Sequence, residues 1–252
     1  MEPRKKIAVA GATGRAGRHV AEALAADGHE VVPMSRATGV DLVTGAGLDA
    51  ALAGADVIVD AATGPSPDEA AATEFFAAAT RNLLAAGERA GVGRIVVVSI
   101  IGCDRFSSGY NAAKVAHEAA LLAGPIPVSV LRAAQFHEFV GELMAWGTRG
   151  DVSYVPRMRT QLVAASTVGR ALADLATAPG APDGRIRELA GPREERLDEM
   201  ARLLAERRGD AVRVEGVLDP SDADHALYEA GAALPGPDAT LAGPTFAEWL
   251  DR

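Results

Sequence analysis

Two hydrophobic periods alternate along the first 134 residues. Short apolar runs that end at glycine, proline or a small polar residue read as buried strands. Stretches with apolar positions three and four apart read as helices. Lys6–Ala10 predicts a first strand and residues 14–26 a first helix. His29–Met34 predicts a second strand, Val40–Val43 a brief third, and Leu48–Ala53 a short helix. Asp56–Asp60 predicts a fourth strand and Asp68–Ala90 a long helix. Arg94–Ser99 predicts a fifth strand, whose four consecutive aliphatics Ile95–Val98 suit a strand covered on both faces. Tyr110–Ala123 and Val128–Leu131 complete the series as a helix and a sixth strand. Repeated β-α-β units with right-handed crossovers give an α/β fold, a Rossmann-type doubly wound parallel sheet.

The order loosens after Ala134. Helices are expected near Phe136–Trp146, Thr167–Thr177 and Leu197–Arg208, with short strands at Val152–Val155 and Gln161–Ala164. Pro179-Gly180, Pro182, Gly191-Pro192 and Pro220 mark loops. Phe246–Leu250 reads as a terminal docking helix. The reading is therefore a core over residues 1–134, with residues 135–252 completing the fold and forming a small C-terminal substrate lobe.

Composition narrows the picture. Apolar residues make up 48% of the 252-residue chain but aromatics only 4%, so Ala, Val, Leu and Ile must build the core. With 25 basic and 34 acidic residues the formal charge is −9, which disfavours nucleic-acid binding. One cysteine, Cys103, provides no disulfide framework and no cysteine metal site, and no His/Asp/Glu cluster has metal-ligand spacing. Met1–Lys6 is charged rather than apolar, and no run of about 18 apolar residues occurs. The expectation is a cytoplasmic protein with no membrane partner, a monomer or homodimer acting on a small molecule.

Three constellations carry chemistry. Gly11, Thr13, Gly14, Arg15, Ala16 and Gly17 lie between the first strand and helix. Missing Cβ atoms there let backbone N–H groups approach a pyrophosphate at a helix N-terminus. Ser35-Arg36 follows the second strand, where an NAD-selective site would carry Asp or Glu; a hydroxyl and a guanidinium suit the 2′-phosphate of NADP(H). Arg15 is placed to flank the same phosphate. Tyr110 and Lys114 are four apart on one helix, and an ammonium near a phenol lowers its pKa for proton donation. Ser99, ending the fifth strand, is a candidate to orient a substrate carbonyl. His117 and Glu118 follow on that helix, Glu118 either pairing with Lys114 or lying on a solvated face. His137 reads as a structural histidine or a pocket residue, and Ser166-Thr167 as a helix N-cap.

The segments GATGRAG, Ser-Arg, VVVSIIG at 96–102, YNAAKVAHE at 110–118 and LRAAQFHEF at 131–139 together resemble the atypical short-chain dehydrogenase/reductases, the NmrA-like branch. The resemblance implies an NADP(H) site at the carboxyl ends of the strands. It places Asp41 and Leu42 by the adenine, Ala61, Ala62 and Thr63 on the adenosine side, and Gln135 and Phe136 by the nicotinamide. It gives Lys114 a second role on the nicotinamide ribose. The retained Tyr-x-x-x-Lys pair points to an NADPH-dependent oxidoreductase acting on a small carbonyl, enone or quinone. The rivals are a non-catalytic NADP(H) redox sensor that acts through a partner protein, and an epimerase or dehydratase with retained cofactor.

Overall fold

The computed structural model describes residues 4–218 and 222–252. The loop expected at Pro220 and the first three residues lie outside them. The expected α/β sheet is present. Its strands are β1 (Lys6–Ala10), β2 (Glu30–Met34), β3 (Val57–Asp60), β4 (Arg94–Ile100) and β5 (Val128–Ala133), joined by β9 (Ile186–Ala190) and β12 (Thr240–Leu241). The order across the seven strands is β12-β9-β5-β4-β3-β1-β2. β1 pairs in parallel with β2 and β3, and β3 with β4. Pro33 sits on β2, the edge strand, where a missing N–H is tolerated.

The chain divides into two compact units. The first comprises 1–99, 109–131 and 168–187. Its helices are α1 (Arg15–Ala26), α2 (Leu48–Leu52), α3 (Glu69–Ala90) and α4 (Gly109–Leu122). Asp68 caps α3 by accepting from Ala71 N–H at 3.0 Å, and Gly91 ends it in the left-handed region. Small residues let α3 and α4 pack closely, with Ala72, Phe76 and Ala113 buried between them. Residues 40–43 are not the strand their apolar alternation suggests. The Asp41 carboxylate accepts from the N–H groups of Val43 (2.8 Å) and Thr44 (3.2 Å), closing a turn. Val40 and Leu42 still enter the core, so the alternation recorded burial rather than extension.

The second unit comprises 100–108, 132–167 and 188–252. It holds α5 (Phe139–Gly147), the hairpin β6 (Thr148–Arg149) and β7 (Val152–Pro156), and β8 (Arg159–Thr160). β10 (Glu195–Arg196), α7 (Leu197–Arg208), β11 (Arg213–Val217), α8 (His225–Ala230) and α9 (Phe246–Leu250) complete it. The strand expected at Gln161–Ala164 is a single bridge from Val163 to Phe136; the paired strand is β8, against β10. α6 (Ala165–Thr177) runs from this unit into the first, so Ser166 and Thr167 lie inside its first turn and are not its cap. Glu138 serves there instead, accepting from Ala165 N–H at 3.2 Å. α9 docks as expected: Thr245 and Glu248 form a capping box, and Phe246 is fully buried. Among the described residues no helix is long and apolar enough to cross a membrane.

Candidate functional site

The glycine loop is built by three glycines with different tasks. Gly11 N–H donates to Met34 O at the end of β2 (3.0 Å), and Gly14 N–H donates to Gly11 O (2.8 Å). Gly11 has φ +71°, and a Cβ there would stand 2.6 Å from Ala61 O. A Cβ on Gly17 would stand 2.1 Å from Gly11 O, so this glycine seats α1 against the loop. Gly14 differs: a Cβ would meet only Gly11 O, at 3.1 Å. The space beyond it is open. Gly14 is the N-cap of α1 with no side-chain cap, and the first turn carries no acid. An uncapped helix start facing open space with no acidic residue fits a bound pyrophosphate.

The bond from Gly11 to Met34 brings the second constellation beside the first. Ser35 follows Met34 and forms a capping box with Thr38, which holds a short 3₁₀ turn over Arg36–Thr38. Arg36 is exposed, and its guanidinium has no hydrogen-bond or ion-pair partner among the described residues. The next loop is pinned from α3, where the Asn82 amide donates to Leu42 O (2.9 Å) and Val43 O (2.8 Å). Asp41 is occupied with its own turn.

The third constellation departs from expectation. Tyr110 and Lys114 lie on α4, but the phenol oxygen of Tyr110 is 2.9 Å from the Thr63 hydroxyl. Burial pushes the Tyr110 phenol above its ordinary pKa; the Thr63 bond opposes this and the Asp60 charge adds to it. The Lys114 ammonium is buried and donates to Val98 O (2.9 Å) and to His117 Nδ1 (2.9 Å), lying 4.6 Å from the Phe76 ring centroid. His117 Nε2 is 3.2 Å from Asp60 Oδ2. Ser99 is buried on β4.

The face of α4 that carries Lys114, His117 and Glu118 is thus buried, not solvated. Sequence reasoning passed over Asp60 and named His117 without giving it a role. The available signal was a lone carboxylate ending the apolar run VIV and a histidine three residues after Lys114.

Gln135 and Phe136 belong to the second unit, where Gln135 Oε1 accepts from the Thr160 hydroxyl. His137 is fully buried, its Nε2 3.1 Å from Pro244 O and its ring against Phe246 and Trp249, a structural setting. Burial lowers its pKa. Cys103 is buried and forms no disulfide. Among the described residues no group of three or more His, Cys, Asp or Glu is placed to hold a metal ion.

Residues 11–134 match the model of the NAD(P)H-binding family. No curated protein sequence matches the chain. Solved structures share its fold. WbmH of Bordetella bronchiseptica, in complex with NAD+, has a TM-score of 0.75 at 17% identity, over 98% of this chain and 96% of that one. The NADPH-dependent quinone oxidoreductase QOR2 of Escherichia coli, complexed with NADPH, gives 0.67 at 20% identity, over 97% and 98%. TunA, an NAD-dependent NDP-hexosamine 5,6-dehydratase of tunicamycin biosynthesis, gives 0.67 at 19%, over 99% of each chain. Residues 11–134 thus match the NAD(P)H-binding family over a little under half of the chain, and the chain as a whole shares the fold of these nicotinamide-nucleotide-bound structures.

Proposed function

We propose that this protein is an NADPH-dependent reductase of a small carbonyl, enone or quinone. The observation that carries the reading is Arg36. It is an exposed guanidinium without a partner among the described residues, two residues beyond the carbonyl that anchors Gly11, and a planar fork of donors suits a 2′-phosphate. In this reading Gly14, Arg15 and Ala16 hold the pyrophosphate, with Ser35 and Arg36 on the 2′-phosphate. Asp41, Leu42 and residues 61–63 border the adenosine, and Gln135 and Phe136 the nicotinamide. Bound NADPH supplies a hydride. The chain's own part is to position the acceptor and deliver a proton. Tyr110, kept protonated through neutral pH by burial, is the proposed donor. Ser99 is proposed to orient the oxygen that receives the proton. The likeness to the quinone oxidoreductase QOR2 supports a reductase among the chemistries this fold hosts.

A second reading has its own support. Lys114 donates to Val98 O and His117 Nδ1 within the fold, which suits a redox sensor that binds NADP(H) and turns nothing over. Titration with NADPH and NADH, followed by turnover on a panel of quinones, enones and carbonyls, separates the two. Oxidation of NADPH by at least one acceptor is expected. Tight NADPH binding with no turnover across the panel would establish the sensor, and preference for NADH would overturn the role of Arg36.

A further inference from the structure

Three ionisable side chains stand in line beneath Tyr110. Asp60, His117 and Lys114 expose 2%, 3% and 4% of their surfaces. An ammonium only donates hydrogen bonds, so the 2.9 Å contact from Lys114 makes His117 Nδ1 an acceptor. The ring proton then resides on Nε2, facing the acceptor-only carboxylate of Asp60 at 3.2 Å. Phe76 walls the line on one side, its ring stacked on His117 with centroids 4.4 Å apart. A buried ammonium and a buried carboxylate are thus joined through a neutral imidazole, which fixes the tautomer and offsets both desolvation costs.

The far end of the line reaches the loop after β3. The other Asp60 oxygen, Oδ1, accepts from Ala62 N–H at 3.1 Å. That loop presses on Gly11 through Ala61 and holds Tyr110 through Thr63.

We infer that Asp60 and His117 are positioning residues, which hold the Lys114 ammonium on β4 and tie it to the loop that braces both the glycine turn and Tyr110. The inference rests on the reading above, in which Lys114 serves a bound nicotinamide nucleotide. Burial and the charge of Lys114 both lower the His117 pKa, in keeping with a neutral ring.

The test uses the full chain and NADPH as the probe. ¹⁵N NMR of the wild-type histidines is expected to show His117 neutral, with its proton on Nε2, from pH 6 to 8. A protonated ring or the Nδ1–H tautomer would overturn the inference, whether or not a nucleotide binds. By fluorescence titration, His117→Leu should bind NADPH about tenfold or more weakly, the scale of one lost hydrogen bond to a charged group. His117→Gln keeps an acceptor and a donor and should stay within about threefold of wild type. Lys114→Met should match His117→Leu, and the double variant should lose no more than either single. Wild-type affinity in a folded His117→Leu protein, or additive losses, would overturn the positioning role. Should His117→Leu fail to fold, the wild-type ring tautomer and the His117→Gln affinity decide. Failure of the wild type to bind NADPH or NADH would defeat the cofactor reading itself, an outcome distinct from loss in the variants alone.

Discussion

The Tyr110 phenol shares a hydrogen bond with the Thr63 hydroxyl at 2.9 Å, while the Lys114 ammonium donates to Val98 O and His117 Nδ1. The Tyr110–Thr63 pairing joins the start of α4 to the loop after β3. It leaves a phenol whose pKa is raised, chiefly by burial, so that it stays protonated at neutral pH, as the proposed donor must. Tyr110→Phe is expected to lower kcat by about 10²–10⁴-fold, the usual worth of a general acid, with NADPH affinity unchanged. The wild-type rate should show no limb from tyrosine ionisation between pH 6 and 9. A fully active Tyr110→Phe enzyme would mean that the proton comes from elsewhere, as in a quinone reductase that draws it from water.

Arg36 has no partner among the described residues to lose, so its removal should leave the fold intact. Arg36→Ala should weaken NADPH binding by about 10- to 100-fold and leave NADH nearly unchanged. Paired titrations followed by tryptophan or cofactor fluorescence measure this. An equal loss for both nucleotides would remove the 2′-phosphate role.

The glycine loop separates binding from folding. Gly17→Ala puts a methyl 2.1 Å from Gly11 O, which the backbone can relieve only by moving α1. Its melting temperature should fall by several degrees, as a strained core substitution costs about 1–3 kcal/mol. At Gly14 an added Cβ meets only Gly11 O, at 3.1 Å. Gly14→Val should melt close to wild type and lose NADPH binding, because the branched side chain occupies the proposed phosphate space. Retained binding by a folded Gly14→Val protein would make the loop purely structural.

Acid should weaken the fold through its buried histidines. His117 faces Asp60, Lys114 and Glu118, and its folded pKa is depressed, first by burial and then by Lys114. His137 is depressed by burial, against Pro244 O and Glu138. An unfolded histidine takes up a proton near pH 6.5 and these folded ones do not, so stability is full above that value and declines as pH falls toward the folded pKa. Urea unfolding at pH 7, 6 and 5 should show the decline, and His117→Gln should make it shallower. An unchanged slope in that variant would show that His117 does not titrate differently on unfolding.

Periodicity alone was enough for β1, β3, β4, β5 and α3, because each buries an apolar run or stripe long enough to allow one reading. It was also enough for the glycine loop, since three glycines between a strand and a helix restrict the backbone locally, and for Ser35-Arg36, whose place follows from the end of β2. The match of residues 11–134 to the NAD(P)H-binding family followed from these local features. Residues 40–43 defeated the same reasoning: a turn closed by a side chain can bury alternate residues as well as a strand does. What Tyr110 and Lys114 touch was decided only in three dimensions. Spacing puts them on one helix face, but β3 brings Asp60 under α4 from 57 residues before His117, and α3 adds Phe76. Burial there rewards joining the ammonium to a carboxylate through an imidazole, and no period in the chain encodes a charge pair at that separation.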